Sequence, residues 1–485
     1  TVSYVYVLAL FLLCCLFRWR QRPKKFPPGP LGIPILGITP FVGSRMEKYL
    51  ASYYAKYGGV MSFRLATKDW IILNDIEAIT QVCFQQGESF SGRPQSYLFD
   101  KLTEGCGIAF ANGPRWQEQR RFVLTALKTL GMGKKGMEEI IKTENQHFIS
   151  VIQNSGGKVH ILKHKKEIRR LEANIISKVL IGKRFDYTDE RLNSIIDCRF
   201  VMPTSSVVLS LPFLRFIPPF RESYKKLVSN TQHVINIIRK LTNEHETPDE
   251  ANPKDLTEIF LSEIEAKKSS HQASIQKIQL YHLIRDIFVG GIDTTTATLG
   301  WGIICLLHYP ECQMRIQEEI EDVIGTRNSE PDMTHQKHMP YLRAFVQEVH
   351  RYCTIAPFSI PHCVTEDCVL FGYHIPKSTP VMSNIWRVHN DPKYWKNPEK
   401  FSPERHLDLE GRFVPSNRVL PFAVGQRRCV GEQMAKVGLF LFWASFLQKC
   451  EIHIDSDFGL PSWKKEPSGT VRSPQEFTIK VRNRL

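Results

Sequence analysis

Phe422-Ala-Val-Gly425-Gln-Arg427-Arg-Cys429-Val-Gly431-Glu-Gln-Met-Ala435 is the stretch that decides how this chain is read. Two glycines flank one cysteine, and an amphipathic helix is predicted to begin just after it. That places a thiol near a helix N-terminus, where free amides and the helix dipole favour a thiolate. Gly425 and Gly431 permit a tight turn and the close approach of something flat. Arg427 adds a fixed positive charge two residues from the thiol. A buried structural cysteine in a loop is the plainer reading, and for a lone cysteine it would prevail.

Upstream, Leu280, Leu283, Ile284, Ile287, Phe288 and Ile292 keep a helical period. The pattern runs on through Leu299, Ile303, Leu306 and Leu307 until Pro310 stops it. About thirty residues make a helix roughly 45 Å long, enough to cross a whole domain. Gly290-Gly291 sits inside it, at about 1 kcal/mol per glycine relative to alanine, and Asp293-Thr294-Thr295-Thr296 follows. Either these are small residues tolerated in a core helix, or the backbone ladder opens locally for a ligand or water. Val437–Leu447 is apolar all round but too short to span a bilayer, so it reads as a buried helix. Short strands are predicted at Val60–Leu65, Trp70–Leu73, near Cys368–Tyr373, Pro380–Asn384 and Phe477–Val481. Glu244–Lys254 and Ala266–Ser274 read as exposed loops. With no break or internal repeat from Met46 to Leu485, the body is one mainly α domain with a minor β-sheet.

The chain opens without a charge from Thr1 to Phe17, and Arg18, Arg20, Arg22, Lys24 and Lys25 follow. A signal peptide wants its basic residues before the apolar run and a small-residue cleavage site after it. Neither is present, and residues 1–17 are not the Arg-rich amphipathic stretch of a mitochondrial presequence. An uncleaved transmembrane signal-anchor fits best, with the basic flank and all that follows in the cytosol; a buried core helix is the bland alternative. Pro27, Pro28, Pro30 and Pro34 then stiffen a linker. The expected organisation is an anchor at 1–17, a basic, Pro-rich hinge at 18–45 and a catalytic body at 46–485.

A length of 485 residues, 42% of them hydrophobic, excludes a small disulfide scaffold and a wholly disordered chain. Twelve cysteines with no CxxC pair point to reduced thiols. A net charge of +15 favours anionic partners. The basic excess is not gathered in an arm with interleaved aromatics, so nucleic acid is not expected.

The Cys429 segment resembles the haem-binding loop of the cytochrome P-450 superfamily, Phe-x-x-Gly-x-Arg-x-Cys-x-Gly, matched at Phe422, Gly425, Arg427, Cys429 and Gly431. Other motifs of that family match in order. Trp116 and Arg120 fit Trp-x-x-x-Arg, Gly290 to Thr295 fit the oxygen-activation motif, Glu348 and Arg351 fit Glu-x-x-Arg, and Pro403-Glu404-Arg405 fit the Pro-Glu-Arg segment. The resemblance covers essentially the whole chain and is closest to microsomal animal enzymes of family 2. It implies the P-450 fold and haem b, with Cys429 as the axial thiolate on iron. A thiolate pushes electron density onto iron and favours O–O cleavage. It further implies Trp116, Arg120, His362 and Arg427 as partners of the haem propionates, with Phe422 and Gly431 also among the haem-binding residues. Asp293 and Thr294 become the proton-delivery pair, and Glu348, Arg351 and Arg405 a structural triad. Phe110, Val289, Ile292, Ile355, Phe358 and Val471 become candidate pocket residues. Gly290 stands where many relatives carry Ala, and His406 where Phe often follows Pro-Glu-Arg.

The implied activity is insertion of one atom of O2 into a hydrophobic substrate, by hydroxylation or epoxidation. Fatty acids, steroids, terpenoids and xenobiotics all remain open. Electrons would come from NADPH through NADPH-cytochrome P-450 reductase, with cytochrome b5 as a helper, at the endoplasmic reticulum membrane. Two rivals stand beside it: an O2-independent enzyme that rearranges peroxides, and a non-catalytic membrane haem sensor or carrier. Three weaker signals are weighed separately. Gly131-Met-Gly133-Lys-Lys-Gly136 satisfies GxGxxG, but a helix and not a strand is expected before it. His160 and His164 lack the Glu of a zinc motif. Val207–Phe220 reads either as a core helix and turn or as a segment that dips into the bilayer.

Overall fold

The computed structural model describes residues 19, 21–43, 45–133, 135–153, 159–197, 208, 211–245, 253–267, 276–325, 329–464 and 471–484. Its larger helices and those around the site are α1 (Tyr97–Thr103), α2 (Gly113–Thr129), α3 (Lys135–Gln153), α4 (His164–Ile181), α5 (Phe220–Asn243), α6 (Lys277–His308), α7 (Pro310–Ile324), α8 (Pro340–Cys353) and α9 (Glu432–Lys449). Strands are β1 (Val60–Leu65), β2 (Lys68–Leu73), β3 (Val159–Lys163), β4 (His362–Cys363), β5 (Cys368–Leu370), β6 (Tyr373–Ile375), β7 (Pro380–Ser383), β8 (Cys450–Ile454) and β9 (Thr478–Asn483). They form three small sheets, ordered β1-β2-β7-β4, β3-β9-β8 and β5-β6.

Helix α6 is the spine. The Gln279 side chain accepts the Gln276 N–H at 2.9 Å and fixes its start. Pro310 opens α7 and ends it. By length and composition α6 is apolar enough to cross a membrane, but most of that stretch is buried inside the fold. It packs against α4, α5, α7, α8 and α9. Ile284, Leu299, Ile304 and Cys305 are sealed within this core, as are Leu441, Ala444 and Leu447 of α9. Each large apolar side chain so buried stabilises by about 1.5–3 kcal/mol. Helix α6 is unbroken through Gly290-Gly291. The two glycines do different jobs. A Cβ on Gly290 would meet nothing within 4 Å, whereas one on Gly291 would stand 2.6 Å from Ile176 Cδ1 of α4.

The Pro-rich stretch is docked along β1. Ser62 N–H donates to Pro28 O at 2.9 Å and Arg64 N–H to Pro30 O at 3.3 Å. The predicted strand at Cys368–Tyr373 is a hairpin, β5 and β6, turned at Phe371-Gly372. Strands β3, β4 and β8 carried no sequence signal of their own. The GxGxxG stretch follows α2 and runs into the first residues of α3, with a helix before it as expected. The predicted anchor at 1–17, most of Glu244–Lys254 and Ala266–Ser274, and the His160 and His164 side chains lie outside the described residues.

Candidate active site

Cys429 sits in a turn that leads into α9. Its N–H donates to Phe422 O at 3.0 Å, and the Arg428 N–H to Gly425 O at 3.1 Å. Gly425 has φ +81°, and a Cβ there would stand 2.5 Å from Cys83 O, so the turn excludes any side chain. Gly431 is different. Its φ of −88° suits any residue, and a Cβ would meet only Cys429 Sγ, at 3.9 Å. Its missing side chain keeps the space beside the sulfur clear.

The Cys429 residue is exposed, yet protein surrounds the thiol on its other sides. Burial pushes its pKa up and Glu432 adds to that; the Gly431 N–H, Arg120 and Arg428 pull it down, and the upward push wins. Arg427 is directed elsewhere. Its guanidinium donates to Ser91 O and Ala111 O, both at 2.8 Å, and lies 3.5 Å from the centroid of the Trp116 ring.

Around Arg427 the chain gathers positive charge, and among the described residues no carboxylate pairs with Arg93, Arg120 or Arg427. Arg93 is buried and donates to Ala109 O at 2.9 Å, Ile360 O at 3.1 Å and Pro361 O at 3.0 Å. Arg120, one turn beyond Trp116 on α2, donates to Arg428 O at 2.5 Å. His362 Nδ1 meets Phe90 O at 2.8 Å. Burial pushes Arg93 down to about 9, helped by Arg120. Burial pushes Arg427 down to about 8, helped by Arg93 and Arg120. His362 is driven to about 3 by burial and Arg93. The Trp116 Nε1–H is buried without an acceptor. Buried guanidinium groups with only carbonyl partners call for anionic acceptors. A group carrying two carboxylates meets that need, so these residues fit the propionate side of haem. The sequence had no means of finding Arg93. In Ser91-Gly-Arg93-Pro it reads as a loop arginine, and only its burial reveals it.

Asp293 and Thr294 form a second group on α6. Asp293 Oδ1 lies 3.0 Å from Arg169 Nη2 of α4. Arg169 is buried and also donates to Ile196 O. Thr294 Oγ1 donates to Gly290 O at 2.6 Å, one turn back.

The triad is closed around Glu348. Arg351 binds both its oxygens, at 2.7 and 2.8 Å, and Arg405 Nε lies 3.0 Å from Oε1. His406 turns out to be a fourth member. Its Nε2 is 2.9 Å from Glu348 Oε2, and Gln347 Nε2 lies 2.8 Å from its Nδ1. Burial opposes the Glu348 charge, but Arg351 and His406 overcome it and hold the carboxyl below its ordinary value. Arg351 also donates to His389 O at 2.9 Å, and His389 Nε2 accepts the Leu420 N–H at 2.8 Å. That chain of bonds ends two residues before Phe422, whose ring lies 5.6 Å from that of His350. The triad thus anchors the loop that carries Cys429.

The pocket candidates divide. Ile292 and Ile355 are buried in the main core, and Val289 and Val471 pack against it. Phe110 stacks on Phe99 at 3.9 Å. Phe358 packs with Met61, Phe63, Ile72 and Met382 beside the first sheet.

A thiol in a glycine-bounded turn beside an anion-seeking cluster defines a haem-thiolate class of protein. The comparisons agree with it. The family model described as Cytochrome P450 matches residues 27–481. Cytochrome P450 2C3 of Oryctolagus cuniculus is 34% identical over 449 residues, 91% of each chain. Cytochrome P450 2C8 of Homo sapiens is 32% identical over 98% of each chain, and cytochrome P450 2D27 of Mesocricetus auratus is 33% identical over 95% of this chain and 93% of the relative. The chain belongs to the cytochrome P450 family. It is a monooxygenase that acts on hydrophobic substrates. Its cofactor is haem with thiolate-ligated iron, and it uses O2 and NADPH-derived electrons passed through a reductase.

Proposed function

We propose that Cys429 holds the haem iron and that Arg93, Arg120, Arg427, His362 and Trp116 hold the propionates. The observation that carries this is the exposed thiol beside buried arginines that have no carboxylate partner among the described residues. Bound haem supplies the redox-active iron at which O2 is reduced and cleaved. The chain's own part is to ligate, to orient and to move protons. A turnover that inserts one oxygen atom and reduces the other to water consumes two protons. Thr294 holds one at Oγ1 and passes it forward when its bond to Gly290 O opens. The Asp293 carboxylate, once it parts from Arg169, turns toward solvent and reloads the hydroxyl. Glu348, Arg351 and Arg405, with His406, keep the Cys429 loop in place.

The electron donor in this reading is a separate flavoprotein, NADPH-cytochrome P-450 reductase, with cytochrome b5 as a second donor. Arg120 and Arg428 lie on the Cys429 side, although Arg428 is already paired with Glu432. Substrates are drawn from fatty acids, steroids, terpenoids and xenobiotics, with Phe110, Val289, Ile292, Ile355, Phe358 and Val471 as pocket candidates. Residues 1–17 anchor the chain in the endoplasmic reticulum membrane, 18–45 form the hinge, and the body faces the cytosol. The exposed Phe213, Phe216 and Ile217 extend that membrane contact. Protein lacking residues 1–17 should still sediment with lipid vesicles and should lose that on Phe213→Ser with Phe216→Ser. Unchanged sedimentation of the double variant removes this second contact.

The test of the whole reading is the carbon monoxide difference spectrum of the reduced protein beside Cys429→Ser. A strongly red-shifted Soret band, lost in the variant, is expected. A histidine-type spectrum sinks the assignment. NADPH-dependent O2 uptake with reductase present then separates monooxygenation from peroxide rearrangement and from haem sensing.

A further inference from the structure

A cavity of about 570 Å³ lies between α1, α5 and α6. That volume falls in the range of small-molecule sites. His282, Thr231, Ile235 and Leu102 are its buried lining, while Asp100, Lys101, Glu104, Gln232, Asn236 and Arg239 are exposed at its rim. It is lined by none of the residues that surround Cys429. His282 lies eleven residues before Asp293 on the same helix, about 16 Å along its axis. Between the two, Arg285 donates to Leu102 O at 2.5 Å, and Asp286 accepts the N–H groups of Ile108 and Ala109 at 2.9 and 3.0 Å. These bonds tie α6 to the 102–109 segment and wall the cavity off on that side.

The unexplained group is His282. It is 2% exposed, and neither ring nitrogen has a partner among the described residues. Two buried polar atoms left unmatched are unfavourable, and a structure tolerates that where a ligand or water completes them. Burial and the neighbouring Arg285 push His282 down to about 3, so the ring is neutral at working pH. A neutral imidazole offers one donor and one acceptor. Its natural complement is a hydroxyl, which is also both. The rim adds two acids, Asp100 and Glu104, against two bases, Lys101 and Arg239. A balanced rim gives no net pull to an ion of either sign. Ile235, Leu102, Val228 and Ile278 supply apolar surface for a hydrocarbon body.

We propose that this cavity is a second ligand site, for neutral hydroxyl-bearing organic molecules, with His282 as the residue that binds the hydroxyl. Alcohols are also what hydroxylation of a C–H bond produces, so the site suits the enzyme's own class of product.

The test uses the haem-loaded enzyme with its iron occupied by 4-phenylimidazole, whose spectral shift reports haem binding independently. Equilibrium dialysis then measures three ligands that share one cage: 1-adamantanol, 1-adamantanecarboxylate and 1-adamantanamine. The alcohol should bind at one equivalent per haem and at least tenfold more tightly than either ion. His282→Leu should weaken it at least tenfold. Asn236→Trp, which fills the rim from an exposed position and leaves His282 intact, should do the same. No alcohol binding in the azole-blocked enzyme overturns the site, as does binding indifferent to both variants. Tighter binding of either ion overturns the ligand class. Absence of the azole shift is a failure of the haem reading instead, and is scored before the ligands are added.

Discussion

Asp293 and Thr294 show how far one residue's surroundings change its reading. In sequence they are an acid and an alcohol side by side. In the fold each has a partner that holds it back: Arg169 at 3.0 Å from the carboxylate, and Gly290 O at 2.6 Å from the hydroxyl. A relay built this way works by releasing both. Thr294→Ala removes the proton at Oγ1 and should raise the hydrogen peroxide formed per NADPH consumed, while the rate of NADPH oxidation changes little. Asp293→Asn should instead slow turnover by about 10²-fold, within the usual range for a lost acid–base group, and enlarge the solvent deuterium isotope effect. Unchanged coupling in Thr294→Ala would remove it from the relay. Cys429 and Arg427 were legible as candidates from residue type and spacing, and Trp116 as a candidate only through the family motif it resembles. Arg93 and Arg169 were not, because an arginine's function here depends on being buried beside particular groups, and no local pattern encodes that.

At the scale of elements, α6 was legible almost to its ends, because a long helical period and Pro310 are strong local signals. Strand β4 has two residues and β3 pairs with β9 across the length of the chain. Such pairing is set by tertiary contact, so it left no periodic trace. The glycines of α6 sharpen the point, since sequence treats them alike. A Cβ at Gly302 would stand 2.4 Å from the Trp443 ring of α9, while one at Gly290 meets open space. A fixed indole cannot yield as the end of an aliphatic chain can. Gly290→Ala should therefore keep or raise the thermal midpoint, drawing on about 1 kcal/mol of helix propensity. Gly302→Ala should lower it, since overpacking costs about 1–3 kcal/mol and outweighs that gain. Circular dichroism melts of the two variants decide it. Equal midpoints would mean that α6 and α9 separate easily, against the packing described.

Over the whole molecule, the buried histidines set a pH dependence that no single site reveals. Burial, with Lys436 nearby, pushes His350 down to about 4. Burial with Arg351 takes His389 to about 3, and burial with Arg285 takes His282 to about 3. Burial lowers His406 too, against the opposing pull of Glu348. His350, His389 and His282 stay neutral in the fold while their unfolded counterparts take up a proton below about pH 6.5. Stability therefore falls as pH drops through that value. Glu172 acts in the opposite sense. Burial raises it to about 8, so the fold keeps a proton that the unfolded chain releases near pH 4.3, and stability falls as pH rises between the two. Three histidines against one glutamic acid leave two protons, and the acid limb should steepen by about 3 kcal/mol per pH unit. Set against a total of about 5–15 kcal/mol, that confines the stable range to near neutrality. Guanidinium unfolding midpoints of the haem-loaded enzyme should peak between about pH 6 and 7. His350→Phe replaces a ring whose Nδ1 has no partner, and should make the acid limb shallower by about 1.4 kcal/mol per pH unit. Glu172→Gln should raise the midpoint at pH 8 and leave it unchanged at pH 4. An acid limb that keeps its slope in His350→Phe would mean that His350 takes up its proton within the fold, and the contact between its ring and Phe422 would then place a charge against the loop that bears Cys429.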